Sequence, residues 1–179
     1  MTHKPTGPVV RNVPSGPGYP VLPTGTSPYH GGMPVTGEYA PSAMEWVRDQ
    51  VAEYEASGGT RADTLRDTGL KIVVVTTRGA KSGKVRKFAL MRVEHDGEYA
   101  LVASKGGHDF HPDWHNNLRA DPTALEIQDG PEPHDYVARE VTGEEKALWW
   151  ERAVAAYPPY AEYQEKTDRE IPVFVARRA

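Results

Sequence analysis

The segment at positions 76–87, TTRGAKSGKVRK, concentrates five basic side chains in twelve residues and contains no acidic one. Its two glycines allow the backbone to turn tightly and to approach a ligand closely. Backbone N–H groups in such a turn, beside Lys81, Ser82 and Arg86, suit the binding of a phosphate or a polycarboxylate. The alternative interpretation is a solvent-exposed hairpin turn that its lysines keep soluble, and composition alone does not choose between the two.

The same segment differs from a nucleotide-binding P-loop in two ways. Only three residues separate Gly79 from the Gly83-Lys84 pair, and Val85 stands where a Ser or Thr would bind magnesium. An anion site here would therefore not be a Walker-type nucleotide site.

A second glycine-rich stretch, ASKGGHDFHPDW at positions 103–114, connects the end of a predicted strand to the start of a predicted helix. Its SKGG run would let the backbone approach a flat or anionic ligand closely, and its lysine could neutralise charge on that ligand. The run comprises Ser104, Lys105, Gly106 and Gly107. Without the basic segment beside it, this stretch would be interpreted as an ordinary glycine loop.

Three histidines, His108, His111 and His115, fall within the eight residues 108–115, at the end of this stretch and just after it. A spacing of four places His111 and His115 on one face of a helix, as a zinc site requires. However, Pro112 suits a helix start and leaves His111 outside the helix, and no Glu occupies the general-base position of an HExxH motif. We therefore predict no metal site and interpret these histidines as surface or ligand-contacting residues.

The segment YPPYAEYQ at positions 157–164 spaces its tyrosines at intervals of three residues. This spacing places Tyr157, Tyr160 and Tyr163 along one face of a short helix. A phenol can donate a hydrogen bond or a proton to a substrate oxygen. Spacing alone favours the other interpretation, an aromatic face that packs on the core.

The 179-residue chain carries a formal net charge of −4 and has no cysteine. This length fits one domain with a tail, and the lack of cysteine excludes disulfides and thiolate metal sites. The slightly acidic balance argues against nucleic-acid binding, which usually shows a basic excess. The sequence shows neither an apolar run long enough to span a membrane nor an apolar leader, so we expect a cytoplasmic location.

Composition divides the chain near position 41. Residues 1–41 hold nine of the sixteen prolines and seven of the seventeen glycines, and such a segment cannot bury enough apolar surface to offset the entropy of ordering. We predict a flexible tail or strap over 1–41 and a folded domain over 42–179. A capping box of Ser42 and Glu45 is predicted to start the first helix.

The folded part alternates short strands and helices. The β-branched run LKIVVVTT predicts a buried strand, and Asp96-Gly97 predicts a hairpin between VRKFALMRVEH and EYALVAS. TALEIQ, HDYVAREV and IPVFVAR predict three more strands. PDWHNNLRA and YAEYQEK predict short helices, and a capping box of Thr142 and Glu145 predicts the start of a longer one.

Strands joined by hairpins, with helices mostly outside the hairpin block, predict the α+β class, with about six antiparallel strands and flanking helices. Six such strands could close into a small barrel, which removes exposed strand edges. In the longer helix, four residues at helical spacing are predicted to face the core. They are Ala147, Trp150, Val154 and Tyr157.

Taken in order, these stretches resemble the deazaflavin-dependent nitroreductase family, which includes F420H2-dependent quinone reductases. The segments TTRGAKSGKVR, ASKGG, PDWHNNLRADP, ARE, YPPYAEYQ and TDREIPVFV are similar to its signatures, and the resemblance spans about positions 42–176. It implies an actinobacterial reductase with a split β-barrel that uses coenzyme F420, an 8-hydroxy-5-deazaflavin. The implied reaction is hydride transfer from the reduced deazaflavin to an electron-poor small molecule, such as a quinone, an enone or a nitro compound.

The resemblance implies cofactor contacts in three segments. The basic segment would hold the phosphodiester and polyglutamate end of F420, the SKGG run would line the deazaflavin, and the helix after it would close the pocket. The cofactor-binding residues so implied are Lys81, Ser82, Arg86, Ser104, Lys105, Gly106, Gly107, Trp114 and Asn117.

The resemblance also implies a substrate side. One of Tyr157, Tyr160 and Tyr163 would protonate or polarise the acceptor. Met91 and His115 would contact the substrate, and both depart from the family's nitroreductase prototypes, which have an aromatic residue and a tyrosine there. The acceptor preference is therefore expected to differ from theirs.

Other functions remain open at this level. One is an FMN-dependent split-barrel reductase with the basic segment on the single FMN phosphate. Another is a non-catalytic carrier of F420, haem or a lipid, and a zinc hydrolase is more remote. The oligomeric state also stays open. Because a Pro/Gly tail replaces the family's amphipathic N-terminal helix, peripheral contact with the inner face of the membrane is only weakly expected.

Overall fold

The computed structural model describes residues 35–179, so most of the predicted tail, 1–41, lies outside the described residues. Within them the chain forms four α-helices and seven β-strands. The helices are α1 (Glu45–Ala56), α2 (Asp113–Ala120), α3 (Gly143–Ala156) and α4 (Pro159–Glu165). The strands are β1 (Ile72–Arg78), β2 (Val85–Met91), β3 (Glu94–His95), β4 (Glu98–Val102), β5 (Leu125–Gln128), β6 (Pro133–Glu140) and β7 (Val173–Arg178). Among residues 35–179, no helix is long and apolar enough to cross a membrane.

All seven strands belong to one antiparallel sheet in the order β2-β1-β5-β6-β7-β4-β3. Its two outermost strands, β2 and β3, follow each other in the chain. The backbone changes neighbours between them: the Arg92 N–H donates to the Lys71 carbonyl (2.9 Å), whereas the Val93 carbonyl accepts from Ala100 (2.8 Å). The sheet is therefore curled, which confirms the predicted antiparallel split-barrel type, and the segment predicted as one strand forms two because the chain bends there.

Both faces of β1 are buried, which explains its continuous apolar run. Val73 and Val75 pack with side chains from β4 to β7 and from α2. Ile72 and Val74 belong to a second cluster, which α1, α3 and α4 cover. Helices on one side and neighbouring strands on the other thus exclude water from β1. This strand leads into the basic hairpin, which is the basic segment 76–87 between β1 and β2.

The helix starts differ from the predicted capping boxes. α1 begins at Glu45 after Met44, and the Ser42 hydroxyl accepts only from the Met44 N–H (3.2 Å), so the first predicted box is wrong. Thr142 does precede α3, but its side chain makes no cap hydrogen bond. The Glu145 carboxylate is instead bound by the Arg139 guanidinium (2.8 Å), a partner on β6 that local sequence does not indicate.

The buried stripe of α3 is also different from the prediction. Trp149 and Ala153 are its buried residues, whereas Ala147 is exposed. The remaining predicted members are partly buried, because α3 packs on two surfaces at once: Trp149 and Ala153 contact the sheet, and Trp150 meets Tyr160 of α4 (ring centroids 6.3 Å apart).

The residues just before α1 lie along β2. Val85 donates to the Glu38 carbonyl (2.9 Å), and its own carbonyl accepts from Ala40 (2.9 Å), a parallel bridge centred on Tyr39. This short pairing leads the chain from the basic hairpin to the first turn of α1.

Candidate active site

A cavity of about 470 Å³ opens between the first turn of α1, β2, the loop after β4, and helices α2 and α4. It brings together many of the residues that the sequence singled out. Those that line it are Met91, Ser104, Lys105, Gly106, Trp114, Tyr157, Tyr160 and Tyr163. Sequence reasoning missed Met44, Trp46 and Leu65, which also line it, because their spacing marks them only as helix or loop residues.

The basic hairpin lies outside this cavity lining. It is closed by hydrogen bonds from Gly79 to the Lys84 carbonyl (2.8 Å) and from Gly83 to the Gly79 carbonyl (2.8 Å). Lys81 and Ser82 are exposed at its tip. Within residues 35–179, Lys81 has no ion-pair partner, so its charge is available to an anion.

Asn117 fixes the position of this hairpin. Its side chain is 8% exposed; Oδ1 accepts from the Ala80 N–H (2.9 Å) and Nδ2 donates to Thr77 Oγ1 (3.1 Å). Both ends of the amide are therefore occupied by the hairpin. Trp114, three residues earlier on the same helix, lines the cavity, so α2 sets the hairpin and the cavity at a fixed distance.

The SKGG loop has an unusual backbone. Ser104 is right-handed helical (φ −73°), and Lys105, Gly106 and Gly107 then take φ values of +46°, +65° and +82°. A right-handed residue followed by a left-handed one turns successive N–H groups toward a common concave side, which favours an acceptor there. Within residues 35–179, the N–H groups of Lys105 and Gly106 have no protein acceptor. This arrangement fits the acceptor atoms of a flat, polar ring.

Sequence reasoning missed Arg169, which lies behind this loop. Its guanidinium donates to the carbonyls of Ala103 (3.1 Å), Ser104 (2.7 Å) and His108 (2.7 Å). The residue sits in the connection between α4 and β7. It lies within the TDREIPVFV segment that resembles a family signature, but that resemblance assigned no role to the arginine.

The three tyrosines form a cluster in the cavity lining. The hydroxyls of Tyr157 and Tyr163 are 3.0 Å apart and hydrogen-bonded. Tyr160 is 4% exposed, and its hydroxyl has no hydrogen-bond partner in the described part of the chain. Burial, aided by the Tyr163 hydrogen bond, raises the pKa of Tyr157 to about 12, and burial also raises the pKa of Tyr160. Tyr157 and Tyr160 can therefore act as neutral donors at physiological pH.

His115 lies beside the cavity and does not line it. Its ring, 3% exposed, stacks on His111 (4.1 Å between centroids) and meets Phe174 edge-on (5.5 Å). Among the described residues, neither ring nitrogen has a hydrogen-bond partner, and burial lowers the pKa of His115. Among residues 35–179, no group of three His, Cys, Asp or Glu side chains could hold a metal ion.

Comparison with known proteins identifies the family of this chain. The family model for F420H(2)-dependent quinone reductase matches residues 46–178. The chain belongs to this family. A curated F420H(2)-dependent quinone reductase of Mycobacterium tuberculosis is 34% identical over 138 residues, which cover 75% of this chain and 91% of that protein. Members are oxidoreductases that depend on reduced F420, which confirms the predicted cofactor and reductase class and decides against FMN.

Solved structures agree with this assignment. One, a structure of the F420-H2 dependent reductase FDR-A, is 59% identical with a TM-score of 0.56 and covers 59% of this chain and 93% of that chain. Another, described as a domain-swapped dimer, is 52% identical with a TM-score of 0.58 and covers 76% of this chain and 100% of that chain. The oligomeric state of the present chain stays open.

The contact between the SKGG loop and α4 generates a first prediction. A Cβ at Gly107 would lie 2.6 Å from the Tyr163 carbonyl oxygen, whereas a Cβ at Gly106 would meet nothing within 4 Å. Both residues are left-handed, so Gly106→Ala carries the conformational cost alone, about 1 kcal/mol. Gly107→Ala adds a clash with backbone and should cost roughly 2 to 4 kcal/mol. Urea unfolding of both variants measures the difference, and equal losses would show that the loop does not press on α4.

The buried ring of His115 generates a second prediction. Because the folded-state pKa is lowered below its unfolded value near 6.5, the unfolded chain takes up this proton first. The free energy of unfolding should therefore fall as the pH drops through about 6.5. His115→Phe should flatten this decline, and it should raise stability at neutral pH by about 1 kcal/mol because two unpartnered nitrogens are removed.

Urea unfolding at pH values from 5 to 8, spaced about half a pH unit apart, tests this prediction. His95→Gln is the control, since His95 is exposed on the β3–β4 hairpin. If His115→Phe keeps the slope of the wild type, the decline arises elsewhere.

Proposed function

We propose that this chain catalyses hydride transfer from reduced F420 to a quinone-type acceptor in the cytoplasm. The observation that carries the proposal is the cavity itself: the SKGG loop, two of whose backbone N–H groups have no acceptor among the described residues, and the tyrosine cluster both line it. A flat redox ring bound at the loop would present its face to an acceptor beside the tyrosines. The family and the quinone reductases named among its relatives support this assignment.

The cofactor would be held at two places. Lys81, Ser82 and Arg86 of the basic hairpin would bind its phosphate and acidic tail. The SKGG loop would bind the ring, and Trp114 would close the cavity beside it. Asn117 would act indirectly by positioning the hairpin, since both ends of its amide already bind hairpin residues. When bound, the deazaflavin supplies an obligate two-electron hydride carrier.

Quinone reduction needs a proton as well as a hydride. A quinone that accepts a hydride becomes an oxyanion, and one added proton completes the quinol. Tyr160 would hold and protonate this oxygen, because the residue lines the cavity and its hydroxyl has no hydrogen-bond partner within residues 35–179. In the Tyr157–Tyr163 pair one hydroxyl donates to the other, which leaves one O–H that would donate a hydrogen bond, without transferring its proton, to the second quinone oxygen.

The two remaining predicted substrate residues would act differently. Met91 lines the cavity and would contact the acceptor directly. His115 would act through the aromatic cluster that supports Trp114, since Phe174 contacts both rings. Their combined effect on cavity shape would set the preference among quinones, enones and nitro compounds.

The cation contacts generate a prediction for cofactor affinity. Lys81→Ala combined with Arg86→Ala should raise the Kd for F420 roughly 10- to 100-fold, because charge-assisted hydrogen bonds to the anionic tail are lost. The affinity of the wild type should fall with added salt more steeply than that of the variant. Fluorescence titration with F420 at several salt concentrations measures both effects.

A matched control keeps the total charge change the same. Arg61→Ala combined with Lys71→Ala removes two cations that pair with Glu53 and Asp63, away from the hairpin. Equal loss of affinity in both double variants would reject the hairpin as the anion site.

The tyrosine cluster generates a prediction for turnover. Tyr160→Phe should lower kcat with a quinone by roughly tenfold or more while changing the Kd for F420 little, because the proton donor is lost but the ring site is intact. Tyr157→Phe should have a smaller effect, since Tyr163 keeps a hydroxyl at the same place. Loss of F420H2 absorbance with a panel of quinones, enones and nitro compounds measures turnover. Undiminished turnover in both variants would reject the proton-donor role, and a wild type inactive with every acceptor would reject the proposed reaction.

A further inference from the structure

Arg169 bridges the two ends of the SKGG loop. One amino group, Nη2, donates to the carbonyls of Ala103 and Ser104 at its start, and Nε donates to the carbonyl of His108 at its end. The other amino group, Nη1, lies 3.1 Å from His111 Nδ1. All donating nitrogens of the guanidinium are therefore directed at this one segment.

The loop needs such support because its backbone is strained. A left-handed conformation is rare for a residue with a side chain, and Lys105 adopts it at φ +46°. Its own side chain does not anchor it, because Nζ lies over the exposed ring of Phe110 (4.1 Å). The conformation must then be held from outside, by the close contact of Gly107 with Tyr163 and by Arg169.

A lysine could not replace Arg169 here. The planar guanidinium carries five N–H donors in a rigid fork, whereas an ammonium is a point charge with three. In this structure the fork spans carbonyls on residues 103, 104 and 108. No described carboxylate forms an ion pair with Arg169, and the nearby carboxylate of Asp109 accepts from Thr167 instead (2.9 Å). The guanidinium is thus committed to neutral acceptors of the loop.

This contact also affects the other side of the peptide. The Ser104 carbonyl that Arg169 binds shares its peptide plane with the Lys105 N–H, one of the two unpartnered donors. A peptide whose carbonyl binds a cation is polarised, and its N–H becomes a stronger donor. Arg169 therefore both orients the donor and strengthens it.

We infer that Arg169 is a positioning residue for the cofactor ring. Its guanidinium holds the SKGG loop so that the Lys105 and Gly106 N–H groups face an acceptor edge of the bound ring. This role of Arg169 rests on the F420-dependent function proposed above. Arg169 is not among the residues that line the cavity, so it would act through the peptide groups of the loop that it binds.

The first test is made on the full chain without cofactor. Gly107 and His108 donate to the carbonyls of Ser104 and Lys105, so their amide hydrogen exchange reports whether the loop is held. In Arg169→Lys their exchange should accelerate by roughly tenfold or more, while amides of the β5–β6 hairpin stay unchanged. Arg92→Lys is the matched control, since Arg92 is also a half-buried arginine but binds Asp129 on another part of the sheet.

The second test measures F420 binding by fluorescence and turnover at saturating F420. Arg169→Lys should raise the Kd at least about tenfold and lower kcat, whereas Arg92→Lys should change neither. In Arg169→Ala, added ethylguanidinium should restore affinity and ethylammonium should not, because only the planar fork reaches both ends of the loop. General destabilisation would not show this selectivity.

The outcomes separate this role from the proposed function. Wild-type-like exchange of Gly107 and His108 together with a wild-type Kd in Arg169→Lys would overturn the role of Arg169 and leave the F420 assignment standing. Equal rescue by both cations would also overturn it. If the wild type itself failed to bind F420, the proposed function would fail, while the exchange experiment would still decide whether Arg169 holds the loop. Should Arg169→Ala not fold, the lysine variant decides alone.

Discussion

The left-handed backbone from Lys105 to Gly107 is the constraint on which the rest of the site depends. It leaves two N–H groups without an acceptor among the described residues and brings the loop against the backbone of α4 at Tyr163, where only a glycine fits. The tyrosines are carried on and just before that helix. The wall that would bind the cofactor ring and the wall that would bind the acceptor are therefore packed directly on each other, and their spacing is set by backbone contact instead of by flexible side chains.

Helix α2 fixes the position of the charged end of the site. Residues three apart on a helix are neighbours on its surface, and here Trp114 lines the cavity while Asn117 binds the hairpin. A long cofactor with a flat ring and a distant anionic tail needs both ends of its site at a fixed separation. One short helix provides this, and Trp114 is itself held by stacking on Phe88 (5.8 Å between centroids) and by Phe174.

Local patterns predicted the elements well where a local cause determines them. The β-branched run of β1 is a buried strand, as predicted. Asp96-Gly97 forms the turn between β3 and β4, because both residues accept left-handed φ values, of +53° and +80°. The predictions that failed depended on distant partners. The Glu145 carboxylate binds Arg139 instead of capping α3. The buried face of α3 differs from the predicted one because the helix packs on both the sheet and α4. Arg169 depends most on distant partners, because its hydrogen bonds to the loop form only when folding brings the end of β4 next to the α4–β7 connection.

The basic hairpin shows how the fold changes a charge pattern that the sequence presents as uniform. In the chain five cations stand together, but distant residues neutralise several of them. Lys84 pairs with Glu38 (3.0 Å), Lys87 with Glu55 (2.5 Å), and Arg78 lies 3.8 Å from Asp121. Within residues 35–179, Arg86 binds only a neutral carbonyl, that of Ala40, and Lys81 binds no acid. The electrostatic attraction for an anion is thus concentrated at Lys81 and Arg86, and under the proposed function these two cations would let an otherwise acidic chain bind the anionic tail of the cofactor.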